Sequence, residues 1–109
     1  TQAKLQIMMQ YIHDNYSGQI TLDDIARTVH ISKSSVLNIF RTYLHTSPIN
    51  YAVEYRLKRA SKLLVDTENS VCAIAQETGF ENIGYFCRRF KKLYGVTPIY
   101  YRNHCHSAE

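Results

Sequence analysis

The chain repeats itself. A shift of about fifty residues lays Ile25-Ala26 on Ile74-Ala75, His30 on Gly79, Phe40 on Phe90, Arg41 on Lys91, Ser47-Pro48 on Thr97-Pro98 and Tyr51 on Tyr101, with one extra residue before Asn82. A repeat of this period is one supersecondary unit built twice, and it constrains any fold to serve both copies.

The second copy, within residues 71–102, is the easier to read. A short apolar helix carrying Val71, Ile74 and Ala75 leads into Thr78-Gly79-Phe80 and then into a second helix. In that helix Ile83, Phe86, Phe90 and Leu93 recur at helical spacing, while Gly84, Arg88, Lys91 and Lys92 share another face. Two helices joined this tightly read as a helix-turn-helix. Gly79 suits a left-handed turn residue, and Ala75 is small enough for the helices to approach. One face of the second helix can pack and the other can meet phosphate.

The rest of the chain follows the same grammar. Over 4–16, Leu5, Met8, Met9, Ile12 and Tyr16 predict a helix with one apolar face, ended by Gly18. Thr21 opens a short helix with Asp23 and Asp24 in its first turn, where exposed amides and the helix dipole favour acid, and with Leu22, Ile25, Ala26 and Val29 buried. Ser32 caps a helix over 33–44 whose apolar set is Val36, Ile39, Phe40 and Leu44 and whose other face shows Ser34, Asn38, Arg41 and Thr42. Ser47-Pro48 then starts a long helix to about Val65, striped by Ile49, Val53, Leu57, Ala60 and Leu64. Residues 66–70 form a polar connection in which Ser70 caps the next helix. Gly95 closes the helix that carries Arg88, and Thr97-Pro98 starts a last one over 99–103, before a frayed tail. The expected fold is all-α: about seven helices, with a first helix-turn-helix over 20–45, a linker helix over 48–65 and a second helix-turn-helix over 71–95.

Length and composition bound this reading. At 109 residues and 45% hydrophobic, without a run able to span a bilayer, the chain is one domain or two very small ones with no room for a large pocket. A net charge of +4 and a pI near 9.0 favour a polyanionic partner without requiring one. Cys72, Cys87 and Cys105 show no paired spacing, which points to a reducing, cytoplasmic setting and no disulfide framework. No signal segment is visible, and a chain beginning at Thr1 reads as a piece of a longer protein.

Together these residues resemble the DNA-binding domain of the AraC/XylS family of bacterial transcription regulators over nearly the whole chain. The similarity is densest at Arg56, Leu57, Ala60, Leu63 and Leu64, and at Ile74, Ala75, Gly79 and Phe80. It continues through Tyr85, Phe86, Arg88, Phe90, Lys91, Lys92, Gly95, Thr97, Pro98, Tyr101 and Arg102. The resemblance implies two helix-turn-helix units that place their second helices in successive major grooves of double-stranded DNA, with RNA polymerase as a further partner. It also implies an effector-binding or dimerisation domain outside this chain. A linker of roughly 27 Å, taken with the helix widths, suits grooves about 34 Å apart. Family members often carry arginine where Asn38 stands and glycine where His45 stands.

Residues near the start of a reading helix meet base edges, and basic residues further along meet phosphate. In the second unit the candidate base contacts are Asn82, Ile83, Gly84, Tyr85 and above all Arg88, whose guanidinium matches guanine O6 and N7. Ile83 has a rival role in the apolar stripe, and Asn82 and Ser32 also suit helix caps. In the first unit the candidates are Ser34, Ser35 and Asn38, an asparagine that favours adenine. Lys33, Arg41, Arg56, Lys91 and Lys92 are candidate phosphate contacts, with a structural ion pair as the alternative for Arg56.

Other chemistries find little support. His104-Cys105-His106 lacks a fixed tetrahedral site, so no metal or cofactor is expected, and Cys87 reads as a small helix residue rather than a redox sensor. Paired carboxylates, a nucleophile with its base and a glycine-rich phosphate loop are all missing, so no enzyme is expected. The competing function is a helix-turn-helix module used mainly for protein interaction, kept open by Asn38 and the modest net charge.

Overall fold

The computed structural model describes residues 2–104. They form seven helices: α1 (Gln2–Asn15), α2 (Leu22–Val29), α3 (Lys33–Leu44), α4 (Pro48–Asp66), α5 (Val71–Glu77), α6 (Ile83–Tyr94) and α7 (Pro98–His104). No strand occurs among the described residues. The chain divides into two compact units whose boundary falls inside α4, between Tyr55 and Arg56.

Short polar side chains fix the helix starts. Thr21 Oγ1 accepts the amide of Asp24 at 3.1 Å while Asp24 Oδ2 accepts the amide of Thr21 at 3.2 Å, a reciprocal box that satisfies two otherwise orphaned donors. Ser32 caps α3 through the Ser35 amide at 3.1 Å, and Ser70 caps α5 through the Ala73 amide at 3.0 Å. Such caps contribute about 1 kcal/mol each. Ser47 and Thr97 accept the amides of Asn50 and Tyr100, at 3.0 and 3.2 Å, and Pro48 and Pro98 take the first helical positions, where no amide is needed.

The ends of the helices show the repeat at the level of the backbone. Gly79 and Gly95 have φ of 97° and 83°, and their counterparts His30 and His45 adopt 55° and 57°. The first unit therefore makes both left-handed turns with a side chain that opposes them. Gly18 follows the end of α1 at Asn15, without a positive φ, and its amide donates to the Asn15 carbonyl at 3.1 Å.

In the first unit Leu5, Met8 and Ile12 of α1 pack with Ile25, Val36, Phe40 and Ala52 in one apolar cluster. Phe40 meets Tyr51 edge-on with centroids 5.9 Å apart. Tyr51 also bonds His13 Nε2 at 2.7 Å through its hydroxyl, and His13 stacks on Tyr55 at 4.2 Å. The second unit buries Leu57, Ala60, Leu64, Ile74, Ala75 and an aromatic series, Phe80 to Phe86 at 4.9 Å and Phe86 to Phe90 at 5.8 Å. Phe90 meets Tyr101 edge-on at 5.4 Å, repeating the Phe40–Tyr51 pair. Geometry of this kind favours aromatic pairs because ring edges and faces carry opposite charge.

Buried polar groups are matched. Thr78, fully buried, donates its hydroxyl to the carbonyls of Ile74 at 2.8 Å and Ala75 at 3.2 Å, and the Tyr94 hydroxyl donates to Ser61 Oγ at 3.1 Å. Arg102 of α7 reaches back to the end of α4. Its Nε donates to the Leu64 carbonyl at 2.9 Å, and its Nη2 to the carbonyls of Thr67 at 3.3 Å and Asn69 at 2.6 Å. A guanidinium here satisfies helix-end carbonyls that have no partner in the helix, and it complements the negative end of the dipole.

Three sequence expectations need correction. Ile49 is 44% exposed, and the buried stripe of α4 begins instead with Pro48 and Ala52, which lie four residues apart on one face. Leu93 is likewise 39% exposed, leaving Phe86 and Phe90 to anchor α6. The α4 helix ends at Asp66, and α7 starts at Pro98 and runs to His104, so both are slightly longer than expected.

Candidate nucleic-acid interface

The start of α6 is built from its cap outward. Asn82 Oδ1 accepts the Tyr85 amide at 2.8 Å, which holds the cap residue at the positive end of the helix. At Gly84 an added Cβ would sit 3.2 Å from Asn82 Oδ1 and 3.6 Å from Arg88 Nη1. The Arg88 side chain thus folds back along the helix, over the missing side chain of Gly84, toward the capped end. Its guanidinium carbon lies 6.0 Å from the Tyr85 ring centroid, within reach of a weak cation–π attraction.

Around this end the exposed residues are Asn82, Ile83, Gly84, Tyr85 and Arg88, and further along the helix Lys91 and Lys92 are exposed too. All the second-unit residues picked from the sequence on α6 therefore share accessible surface. Ile83 is 42% exposed and does not join Phe86 and Phe90, which are fully buried. Asn82 is a cap, and its position at the exposed start of α6 is compatible with a base contact as well.

Arg89 was not singled out by sequence. It donates Nη1 to the Tyr85 hydroxyl at 2.8 Å and lies 5.8 Å from that ring. The four-residue spacing was the available signal, since such pairs are helix-surface neighbours. Arg56, on α4, is half-buried, and burial pulls its guanidinium below its ordinary pKa while nearby Tyr85 pushes the other way. Tyr85 is thus bordered by basic groups from two helices of the second unit.

In the first unit Ser34, Ser35, Asn38 and Arg41 are exposed on α3. Ser35 is tied to the cap, its Oγ lying 3.0 Å from Ser32 Oγ. Lys33 makes an exposed ion pair with Asp23 at 3.5 Å, an interaction worth little in water and easily exchanged for another anion. Arg41 borders an open hollow with Leu37, His45, Thr46 and Ser47. The α3 surface therefore offers fewer strong donors than α6, with Asn38 where α6 has Arg88.

Among the described residues no cluster of His, Cys, Asp or Glu could hold a metal, and Cys105 and His106 lie outside them. Cys72 is exposed and Cys87 half-buried, both as free thiols. No described helix is long and apolar enough to cross a membrane.

Two compact helical units, each with a capped second helix presenting a polar surface, define a tandem helix-turn-helix protein. The sequence pattern of a helix-turn-helix domain family matches residues 25–104. The chain is 30% identical over 99 residues to the HTH-type transcriptional regulator YdeC of Bacillus subtilis, covering 91% of this chain and 34% of that protein. It is 31% identical over 99 residues to the raffinose operon transcriptional regulatory protein RafR of Pediococcus pentosaceus, covering 91% and 36%. A crystal structure of an AraC-type transcriptional regulator from Chromobacterium violaceum superposes with a TM-score of 0.93 at 30% identity, covering 99% of this chain and 96% of that one. The chain belongs to the AraC-type helix-turn-helix family, whose domain is the DNA-binding part of transcriptional regulators. It spans about a third of the length of the two curated relatives.

Proposed function

We propose that this chain recognises a specific duplex sequence by placing α3 and α6 in successive major grooves, with α6 as the anchor. The observation that carries this reading is the start of α6, where Arg88 lies over Gly84 beside the Asn82 cap with Lys91 and Lys92 further along. A guanidinium at that end suits guanine O6 and N7, Asn82 and Tyr85 suit neighbouring base edges, and the lysines suit phosphates. On α3, Ser34, Ser35 and Asn38 are the weaker readers, with Asn38 suited to adenine. Lys33, Arg41 and Arg56 complete the phosphate contacts.

As part of a regulator, the chain acts in the cytoplasm, contacts RNA polymerase at a promoter and answers to an effector-binding or dimerisation domain elsewhere in the protein. It catalyses nothing. This reading starts from relatives whose names make them transcriptional regulators, one of them of a raffinose operon, and from the chain's spanning only about a third of each.

Selection of bound duplexes from a random pool at elevated salt tests the proposal. Two preferred blocks one helical turn apart, the α6 block stronger, are expected. A chain that retains no preferred sequence would instead support the protein-interaction reading.

A further inference from the structure

The first residue of α6 is an exposed isoleucine outside the buried stripe of that helix. Ile83 is 42% exposed, whereas Phe86, one turn on, is fully buried. Its counterpart in the repeat is Lys33, which begins α3 and pairs with Asp23 at 3.5 Å. The two units thus begin their second helices with opposite chemistry: a charge in one, a branched alkyl group in the other.

Next to Ile83 stands Gly84, which adds no side chain to this end of the helix and over which Arg88 Nη1 folds. The start of α6 therefore presents a guanidinium together with an alkyl group that can neither donate nor accept a hydrogen bond. In the major groove, base edges are marked by donors and acceptors with one apolar exception, the C5 methyl of thymine. An isoleucine brought to those edges has only that group to recognise.

We propose that Ile83 reads the methyl group of a thymine adjoining the guanine bound by Arg88, so that α6 specifies a thymine and a guanine by different physical means. The inference rests on the DNA-reading function proposed above. It assigns the thymine by dispersion and water exclusion, whereas the guanine is assigned by paired hydrogen bonds.

The test uses the whole 109-residue chain and its selected duplex. Each thymine is replaced singly by 2′-deoxyuridine, which deletes the methyl and leaves every hydrogen-bonding group in place. Binding should weaken about fourfold at one thymine beside the Arg88-dependent guanine, as expected for losing about 0.8 kcal/mol from one buried methyl-sized group. Ile83→Ala should bind thymine and uracil duplexes alike while keeping the guanine preference, and its thermal transition should confirm that it folds. The inference is overturned if every uracil duplex binds as tightly as the original, or if Ile83→Ala keeps the full penalty. It is overturned as well if the selected sequences lack a thymine at that place. A chain that selects no sequence overturns the DNA-reading function itself, and this assignment with it.

Discussion

His30 holds the left-handed backbone, at φ 55°, that its counterpart Gly79 holds at φ 97°. The turn is the same element of the repeat, made once by a residue that resists it and once by one that accepts it. A left-handed conformation costs an L-residue roughly 1–2 kcal/mol, of which glycine's greater freedom in the unfolded chain returns part. His30→Gly should therefore stabilise the first unit by about 0.5–1 kcal/mol. Gly79→Val should destabilise the second by about 1–2 kcal/mol. Urea midpoints measure both, and shifts of the same sign would show that the two turns are not equivalent.

Arg102 holds three carbonyls at the end of α4 and in the connection that follows. Its loss leaves those acceptors with water or nothing, so Arg102→Ala should cost about 2–3 kcal/mol, in the range for hydrogen bonds to charged groups. Arg102→Lys should recover only a minor part, because an ammonium cannot reproduce the planar fork. Chemical denaturation gives the sizes, and amide exchange should quicken first in α7. An arginine-to-lysine change without effect would reduce Arg102 to a surface charge.

Acid should unfasten the start of α2. The Thr21 hydroxyl and then the Thr21 amide, with help from Arg27, hold the Asp24 carboxyl below its ordinary value of 3.8. A group whose folded pKa is lowered stabilises the fold above its unfolded value, and that contribution fades as pH falls through the lower folded one. The Asp24 contribution should thus be complete above about pH 5 and be lost progressively below 3.8. Melting curves of Asp24→Asn should show a smaller drop between about pH 5 and pH 3 than the parent chain. An identical drop would remove Asp24 from the acid response.

The parts legible in the sequence were those fixed locally. Thr21, Ser32, Ser70 and Asn82 announced their caps because a cap needs only a short side chain and an amide three residues on. Phe40 and Phe90 announced the core through spacing, and the repeat announced that His30 would share a turn with Gly79. Ile49, Ile83 and Leu93 misled or divided the reading, since three- and four-residue spacing allows more than one neighbouring stripe, and the buried ones run through Pro48 and Ala52 on α4 and through Phe86 and Phe90 on α6. The contacts of Arg102 and the His13–Tyr51 pair were invisible because the partners are distant in sequence, at 2.6 and 2.7 Å in space. The exposed surface at the start of α6 was legible as a list of residues, but not the folding of Arg88 over Gly84 or the bond from Arg89 to Tyr85.

Lys91 and Lys92, exposed beyond the first turns of α6, should act on DNA without regard to sequence. Alanine at either position should weaken binding to cognate and random duplexes alike and lower the slope of log K against log salt by about one for each phosphate no longer neutralised. Titrations at several salt concentrations measure this. A loss confined to one sequence would make the lysine a base reader.

The central claim is that α6 reads DNA through Arg88, and affinity for the selected duplex and all its single-base variants tests it most directly. Arg88→Ala should lose about 1–3 kcal/mol on the selected duplex and should no longer distinguish bases at one position, keeping its preferences elsewhere. Unchanged affinity together with unchanged preference at every position would contradict the account.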